Sequence, residues 1–563
     1  MGIRGLELTA VLSSAGGPVP RPRGARYDTS MLRTYDAQAV RAAEEPLLAA
    51  GEPLMARAAR ALANAIIWEL RRRSIRVSGT RIAIFAGAGN NGGDALYAGA
   101  YLARRGAAVV AVAPLPAYHR AGAQALEKAG GTLIREASLA QAVAVARRSA
   151  VWVDGLLGIG ARGPAREPLA SLLSALESER LASPVEPLVV AVDTPSGIGV
   201  DDGALPGPYL SAHLTVTMGA AKAGLVLDPA RRAAGRIEVV ELGFAPYLGE
   251  PAVLHLGDAD VADLWRVPGA DDHKYTRGVV GIVAGSVQYP GAGLLTTTAA
   301  LAAGPGMVRY LGENEVAELV ITAHPEVVAA PGRIQALAVG SGDPPGAPAL
   351  LHAALKDGSP VVVDAGALPT IADMAAREGA RFGEHVVLTP HAGEAALMAA
   401  QLDLRDADGT PFSRAVIESC PVAAARALAA RLGATVVLKG SVDVVASPSG
   451  PCYAQGGAPG WRAVAGAGDV LAGLIGAMLA QHAVVAEPTE VARHTELTEP
   501  AARIAAAALH IHARAAALAA GTPFAAPARS ALGEPAPAPG RPITAAQIAA
   551  RIPEVIGQIL GGA

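Results

Sequence analysis

Cysteine is nearly absent from this chain of 563 residues: Cys420 and Cys452 are the only two. That excludes a disulfide framework and a thiolate zinc site, and it fits a reducing compartment, so a cytoplasmic location is expected. Aromatic residues make up only 4% while hydrophobic residues reach 51%. The cores must therefore be built from Ala, Val, Leu and Ile, which suits helices packed on parallel strands and points to the α/β class. Charge of one sign is not in excess, with 47 basic against 50 acidic residues and a formal net charge of -3. No basic run could neutralise several phosphates, which argues against a nucleic-acid partner. Long hydrophobic runs are missing too: Leu471 to Ala486 is broken by Gln481 and His482, and Ala501 to Gly521 carries Arg503, His510, His512 and Arg514, so no membrane span is expected. No G-x-x-x-x-G-K-[ST] occurs, which removes the P-loop folds, and no fixed-period repeat is present.

The length calls for two large domains. Residues 1–30 are rich in Gly, Pro, Arg and Ser, lack the apolar core of a secretory signal and read as a disordered leader, with Met31 as the expected natural start. Thr34 to about Arg73 carries helical periodicity. Buried strands follow at Arg81–Ala86, Ala107–Ala113, Ala150–Asp154 and Leu188–Asp193. The aperiodic segment Phe244–Leu256 sets the boundary, giving domains at 31–246 and 255–563. Further strands are expected at Gly278–Ala284, Ala336–Val339, Pro360–Asp364, His385–Leu388 and Ala434–Leu438, and a Pro/Ala/Gly-rich mobile loop at Pro523–Pro542.

Between a strand and a helix lies Gly87-Ala-Gly-Asn-Asn-Gly-Gly-Asp94, which contains G-x-G-x-x-G. A nicotinamide-dinucleotide oxidoreductase would also place an acidic residue at the end of the next strand, and Val109 to Pro114 has none. Asn90, Asn91 and Asp94 beside exposed N–H groups suit a ligand with several hydroxyls or phosphates. Asp154-Gly-Leu-Leu-Gly-Ile-Gly-Ala-Arg-Gly-Pro164, Asp193-Thr-Pro-Ser-Gly197 and Lys222-Ala-Gly-Leu225 converge on the same sheet edge.

Together these segments resemble the NAD(P)H-hydrate epimerase family over residues 34–244. The resemblance implies a Rossmann-like three-layer αβα domain with substrate against Asn90, Asn91, Gly92, Gly93 and Asp94, against Gly158, Ile159, Gly160, Ala161, Arg162, Gly163 and Pro164, and at the catalytic Asp193. It also implies K+ near Asn91, Asp154 and Ser196, all oxygen donors. Ile159 stands where a Thr is usual in the family, and Ala88 and Ala95 replace Pro and Gly.

In the second half, Val464-Ala-Gly-Ala-Gly-Asp-Val-Leu-Ala-Gly473 joins a glycine turn to a helix. Backbone N–H groups there can steady a transferring phosphoryl group, and Asp469 can take a proton from the attacking hydroxyl. With His273-Lys274, Gly285-Ser286, Tyr289-Pro-Gly-Ala292, Thr389-Pro-His-Ala-Gly-Glu394 and Leu438-Lys-Gly440, this resembles the ADP-dependent NAD(P)H-hydrate dehydratase family over residues 255–520. The implied fold is ribokinase-like α/β. The implied hydrate contacts are Ala292, Gly342, His391 and the catalytic Asp469, and the nucleotide contacts are Lys439, Gly440, Ser441, Val442, Asp443 and Gly468. Ala467 replaces a common Thr, and Ser341-Gly-Asp-Pro344 departs from a more glycine-rich loop. Mg2+ arriving with ADP is expected, since such sites need few protein ligands. The spacing of two between His510 and His512 argues against a metal pair.

The expected activity is repair of hydrated NADH and NADPH, with the first domain interconverting the R and S hydrates and the second dehydrating the S form. The partners are small molecules, with no nucleic acid and no membrane, and the assembly expected is a homo-oligomer. The alternative is a ribokinase-like vitamin-precursor kinase carrying a nucleotide-sensing module.

Overall fold

A computed structural model describes residues 31–485, 495–524 and 539–562. The leader and most of the Pro-rich stretch expected to be a mobile loop lie outside the described residues. The structure is α/β in both halves, as the composition requires.

The first half holds a seven-stranded sheet, all of it parallel, in the order Thr132–Arg135, Ala108–Ala113, Arg81–Ala86, Val151–Gly155, Leu188–Val192, Leu214–Met218, Arg236–Val240. Alternate side chains enter different cores, the period-2 consequence of the pleat. Ile82 and Ile84 pack with Leu62, Ile66 and Leu70 of helix Leu54–Arg72 and Leu96 of helix Asn90–Arg104. Phe85 and Trp152 pack on the other face with Leu172, Leu173 and Leu176 of helix Leu169–Ala182. The three-layer αβα arrangement follows from this two-sided burial.

The second sheet has eleven strands. Met307–Tyr310, Val279–Val283, Ala336–Val339, Val361–Val363, Val386–Leu388 and Thr435–Leu438 run parallel, and Asp443–Ala446 and Cys452–Gln455 continue antiparallel. Helix Ala467–His482 crosses one face and is buried along almost its whole length. A Cβ on Gly473 would lie 2.1 Å from the Thr296 carbonyl, so glycine permits its close approach to helix Pro290–Ala302.

Two local expectations change. Thr34 belongs to strand Leu32–Tyr35, and the helix starts at Ala37 with Asp36 as its cap. Phe244–Leu256 is not a plain linker, because Val253–His255 is a strand inside the second sheet. Leu32–Tyr35 pairs antiparallel with it, and Ala221–Lys222 adds a final parallel strand. The first half thus contributes two strands to the edge of the second sheet. Such short strands, set by long-range pairing, leave little local pattern in the sequence. No described helix is long and apolar enough to cross a membrane.

Candidate active sites

The glycine loop of the first half is forced by its surroundings. A Cβ on Gly87 would sit 1.9 Å from the Leu156 carbonyl, and one on Gly92 would sit 2.2 Å from the Gly87 carbonyl. The loop therefore presses against the turn after Val151–Gly155 and starts helix Asn90–Arg104 with Asn90 exposed and Asp94 buried. Gly158 packs against the Asn91 side chain, and the Ile159 carbonyl accepts from Arg41 at 2.8 Å. Gly160, Arg162, Gly163 and Pro164 are exposed, with Ala161 half-buried, so this segment forms a rim rather than a floor.

Asp193 stands at the carboxyl end of Leu188–Val192 with φ of +70°, a left-handed conformation that costs an Asp energy and that concentrates at functional sites. Its Oδ1 accepts from the Met218 N–H at 2.9 Å and the Thr217 hydroxyl at 3.2 Å, and forms a close ion pair with Lys222 Nζ. Lys222 also donates to the Met218 carbonyl and the Thr217 hydroxyl. Carboxylate and ammonium are both buried, so each depends on the other for compensation. Two further acids share this field. Burial, then the charges of Asp193 and Glu44, push the Asp94 carboxyl well above the usual Asp range. Burial and Asp193 raise Glu44, against the pull of Lys222 and Arg41. Asp94 Oδ1 has no hydrogen-bond partner among the described residues, as expected of a group kept for a ligand.

Asn91, Asp154 and Ser196 come together beside it. Ser196 donates to Asp154 through its N–H at 2.8 Å and its hydroxyl at 2.6 Å, and its hydroxyl accepts from Leu157 N–H. Asn91 Nδ2 donates to the carbonyls of Leu157 and Val192 at 3.1 and 2.8 Å. Asp154 is fully buried, which pushes its carboxyl up to about 6 against the lowering effect of the Ser196 and Leu156 bonds. An amide oxygen, a hydroxyl, a carboxylate and two carbonyls in one cluster suit a hard monovalent cation. Among the described residues, no group of three His, Cys, Asp or Glu could hold a metal.

In the second half, Gly466 adopts φ of +90° and starts the helix that places Asp469 in its first turn. Burial, then the charge of Asp364, pushes the Asp469 carboxyl up to about 6, while Lys439 opposes. Lys439 Nζ donates to Asp364 Oδ1 at 2.9 Å and lies 3.5 Å from where a Gly468 Cβ would be. Burial works against the Lys439 charge, but Asp364, Glu394 and Asp469 outweigh it and raise its pKa. Asp364 is held in turn by the Ser341 and Thr389 hydroxyls at 2.9 and 2.7 Å. Gly342, at φ of +71°, has no room for a side chain because its Cβ would come 2.5 Å from that of Ala292, and its carbonyl accepts from Ser286 at 2.8 Å. Ala292, Gly342, Lys439, Gly468 and Asp469 are thereby linked through Ser341 and Asp364.

His391 is exposed, and its Nδ1 accepts from the N–H groups of Gly393 and Glu394 at 3.0 and 3.1 Å. It caps helix Ala392–Gln401, with Nε2 3.7 Å from Glu394 Oε1. Asp443 is buried, accepting from Gly440 N–H at 3.0 Å and pairing with Arg462 at 2.5 Å, so its carboxylate shapes the Lys439–Asp443 loop from within. His510 and His512 are buried on helix Ala501–Ala520, where His510 Nε2 lies 2.7 Å from Asp258. The sequence reading missed Glu44 and Arg41, which look like ordinary helix-surface charges, and it gave no role to Asp364. The signal for Asp364 was present, since it ends a strand in the same way as Asp154 and Asp193.

Comparison with known proteins gives family-model matches to "YjeF-related protein N-terminus" at residues 51–224 and to "NAD(P)H-hydrate dehydratase" at residues 280–533. The bifunctional NAD(P)H-hydrate repair enzyme Nnr of Mycobacterium tuberculosis is 43% identical over 462 residues, covering 80% of this chain and 89% of that one. Its counterpart from Mycobacterium leprae is 41% identical over 507 residues, covering 88% and 95%. The NAD(P)H-hydrate epimerase of Clavibacter michiganensis is 44% identical over 221 residues, covering 37% of this chain and 90% of that one. A Bacillus subtilis ADP/ATP-dependent NAD(P)H-hydrate dehydratase, co-crystallised with ATP/Mg2+, matches with 24% identity and a TM-score of 0.41, covering 54% and 97%.

Proposed function

The chain belongs to the family of bifunctional NAD(P)H-hydrate repair enzymes, and we propose that it divides the repair between Asp193 in the first half and Asp469 in the second. Hydration of a reduced nicotinamide leaves a hydroxyl on a carbon bonded to the ring nitrogen. In the first cleft a proton passes from the Lys222 ammonium through the Asp193 carboxylate bound to it to that hydroxyl, the nitrogen lone pair expels water, and a planar iminium forms. Asp193 then takes a proton from water adding to the other face, which inverts the centre. The ion pair with Lys222 holds the carboxylate in place, and Asn90 to Asp94 with the rim Gly158 to Pro164 position the dinucleotide.

In the second cleft the leaving group must first be improved, because hydroxide leaves poorly. Asp469 takes the proton of the ring hydroxyl as it attacks the terminal phosphoryl of ADP, with the backbone N–H groups of the Gly466 turn facing the developing charge. Lys439 offsets negative charge at the same place. Loss of phosphate with a ring proton restores the double bond of the S hydrate, leaving AMP and phosphate. Ala292, Gly342 and His391 border the hydrate, and Lys439 to Asp443 with Gly468 border the nucleotide. Mg2+ arriving with the nucleotide phosphates would neutralise their charge, with few protein ligands needed to hold it. K+ fits the oxygen cluster of Asn91, Asp154 and Ser196, where it would fix the loops around Asp193. The enzyme works in the cytoplasm, as a homo-oligomer acting on small molecules.

The observation that carries this reading is the left-handed, buried Asp193 clamped by Lys222 at the sheet edge, a costly arrangement that packing alone does not call for. Separated epimers of hydrated NADH, followed by recovery of the reduced chromophore with ADP, test it. Asp469→Ala should abolish recovery from both epimers, and Asp193→Ala from one. Equal loss for both epimers with Asp193→Ala would refute the division. Accumulation of a phosphorylated product would favour a vitamin-precursor kinase instead.

A further inference from the structure

A cavity of about 920 Å³ runs between the two halves, bounded on one side by the Lys439–Val442 loop and on the other by Leu205, Pro206 and Pro229 of the first half. Building on the nucleotide reading of that loop, we infer that the first half completes the nucleoside end of the nucleotide pocket, with Arg232 as a binding residue for it.

The direction of the cavity carries the inference. Lys439 lies beside Gly468 and is coupled to Asp469, so it marks the phosphoryl end. Ser441, farther along the same loop, is bound by the first half: Arg232 Nη2 donates to its hydroxyl at 3.0 Å, and that hydroxyl in turn donates to Asp228. Arg232 also pairs with Asp228 at 3.1 Å. The same cavity has apolar walls from both halves, Leu205, Pro206 and Pro229 from the first and Ile417 and Pro421 from the second, with Arg414, Glu418 and Ser419 beside the latter. A flat aromatic base suits the apolar part of these walls, and a cleft between two domains that combines apolar walls with polar groups is where nucleotide-sized ligands bind. The Arg232 side chain is 69% exposed, and its Nε and Nη1 make no hydrogen bond among the described residues. Those donors are free to meet ribose hydroxyls or the acceptor nitrogens of adenine. On this view the dehydratase half borrows part of its nucleotide site from the epimerase half.

Calorimetric titration of the full chain with ADP, adenosine and pyrophosphate separates the parts. Arg232→Ala and Leu205→Ser should each weaken ADP and adenosine by about fivefold to twentyfold, the scale of one lost contact, and raise KM for ADP with kcat nearly held. Pyrophosphate affinity and the epimerisation rate should stay at the wild-type level. ADP and adenosine affinities within about twofold of wild type in both variants would overturn the inference, as would an equal loss for pyrophosphate. Wild type that does not bind ADP at all would instead remove the nucleotide reading of Lys439 to Asp443 together with this one.

Discussion

Asp469 offers a prediction in which sign and size both follow from the site. A general base must be ionised, and this carboxyl is pushed up to about 6 by burial and by Asp364, with Lys439 opposing. A single titration at that value leaves about a tenth of the enzyme competent at pH 5 and about nine tenths at pH 7, so kcat/KM for recovery of the S hydrate should fall about tenfold across that span. Its two charged neighbours should move the acid limb in opposite directions. Asp364→Asn removes the repulsion and shifts the limb to lower pH, while Lys439→Met removes the attraction and shifts it higher, each by on the order of one pH unit. Stability should change the other way. A carboxyl raised in the folded state favours folding below its unfolded value near 3.8 and loses that contribution as pH rises through about 6, so above pH 6 the ionised Asp469 burdens the fold. Asp469→Asn should therefore raise stability at neutral pH by about 1–2 kcal/mol, after allowing for partial exposure, while abolishing dehydration. The assay is chromophore recovery from purified S hydrate at saturating ADP and constant ionic strength, with urea denaturation of the same variants. A flat rate between pH 5 and 7, or limbs that move in the same direction for the two variants, would refute the reasoning.

Lys222→Met leaves Asp193 buried without its counter-ion and should cost about 3–5 kcal/mol by denaturant titration. Paired with Asp193→Leu in a double-mutant cycle, the combined loss should be smaller than the sum of the single losses; strict additivity would mean that the ion pair contributes nothing. Replacing K+ with tetramethylammonium should lower the epimerisation rate and the melting temperature of wild type, and Ser196→Ala should lose most of that response; an unchanged response would remove the cation from the Asp154 cluster. Gly473→Ala drives a methyl into the Thr296 carbonyl and should destabilise by about 1–3 kcal/mol, seen as a lower denaturation midpoint.

Much of the fold was legible because parallel strands buried on both faces read as continuous apolar runs. Ala336–Val339 falls where its sequence pattern places it, and Val279–Val283 and Thr435–Leu438 differ from expectation only at their ends. Thr132–Arg135, Met307–Tyr310 and Cys452–Gln455 were not anticipated, since each mixes polar with apolar residues and lacks the continuous apolar run that marks strands of the same length such as Ala336–Val339. The glycine loops and strand-end aspartates were equally plain, because chemistry fixes their residue types.

The sequence by itself determined the α/β class, the chain order of two glycine-rich turns with their carboxylates, and the lack of enough cysteines for a disulfide framework or a thiolate zinc site, all of which depend on local composition and spacing. Only the tertiary structure decided which groups meet across the chain: Lys222 with Asp193, Asp364 with Lys439, and Arg232 with Ser441 209 residues away. It also decided that strands from the first half extend the second sheet. Contacts of that kind arise when separate elements pack and exclude water, and no stretch of neighbouring residues encodes them.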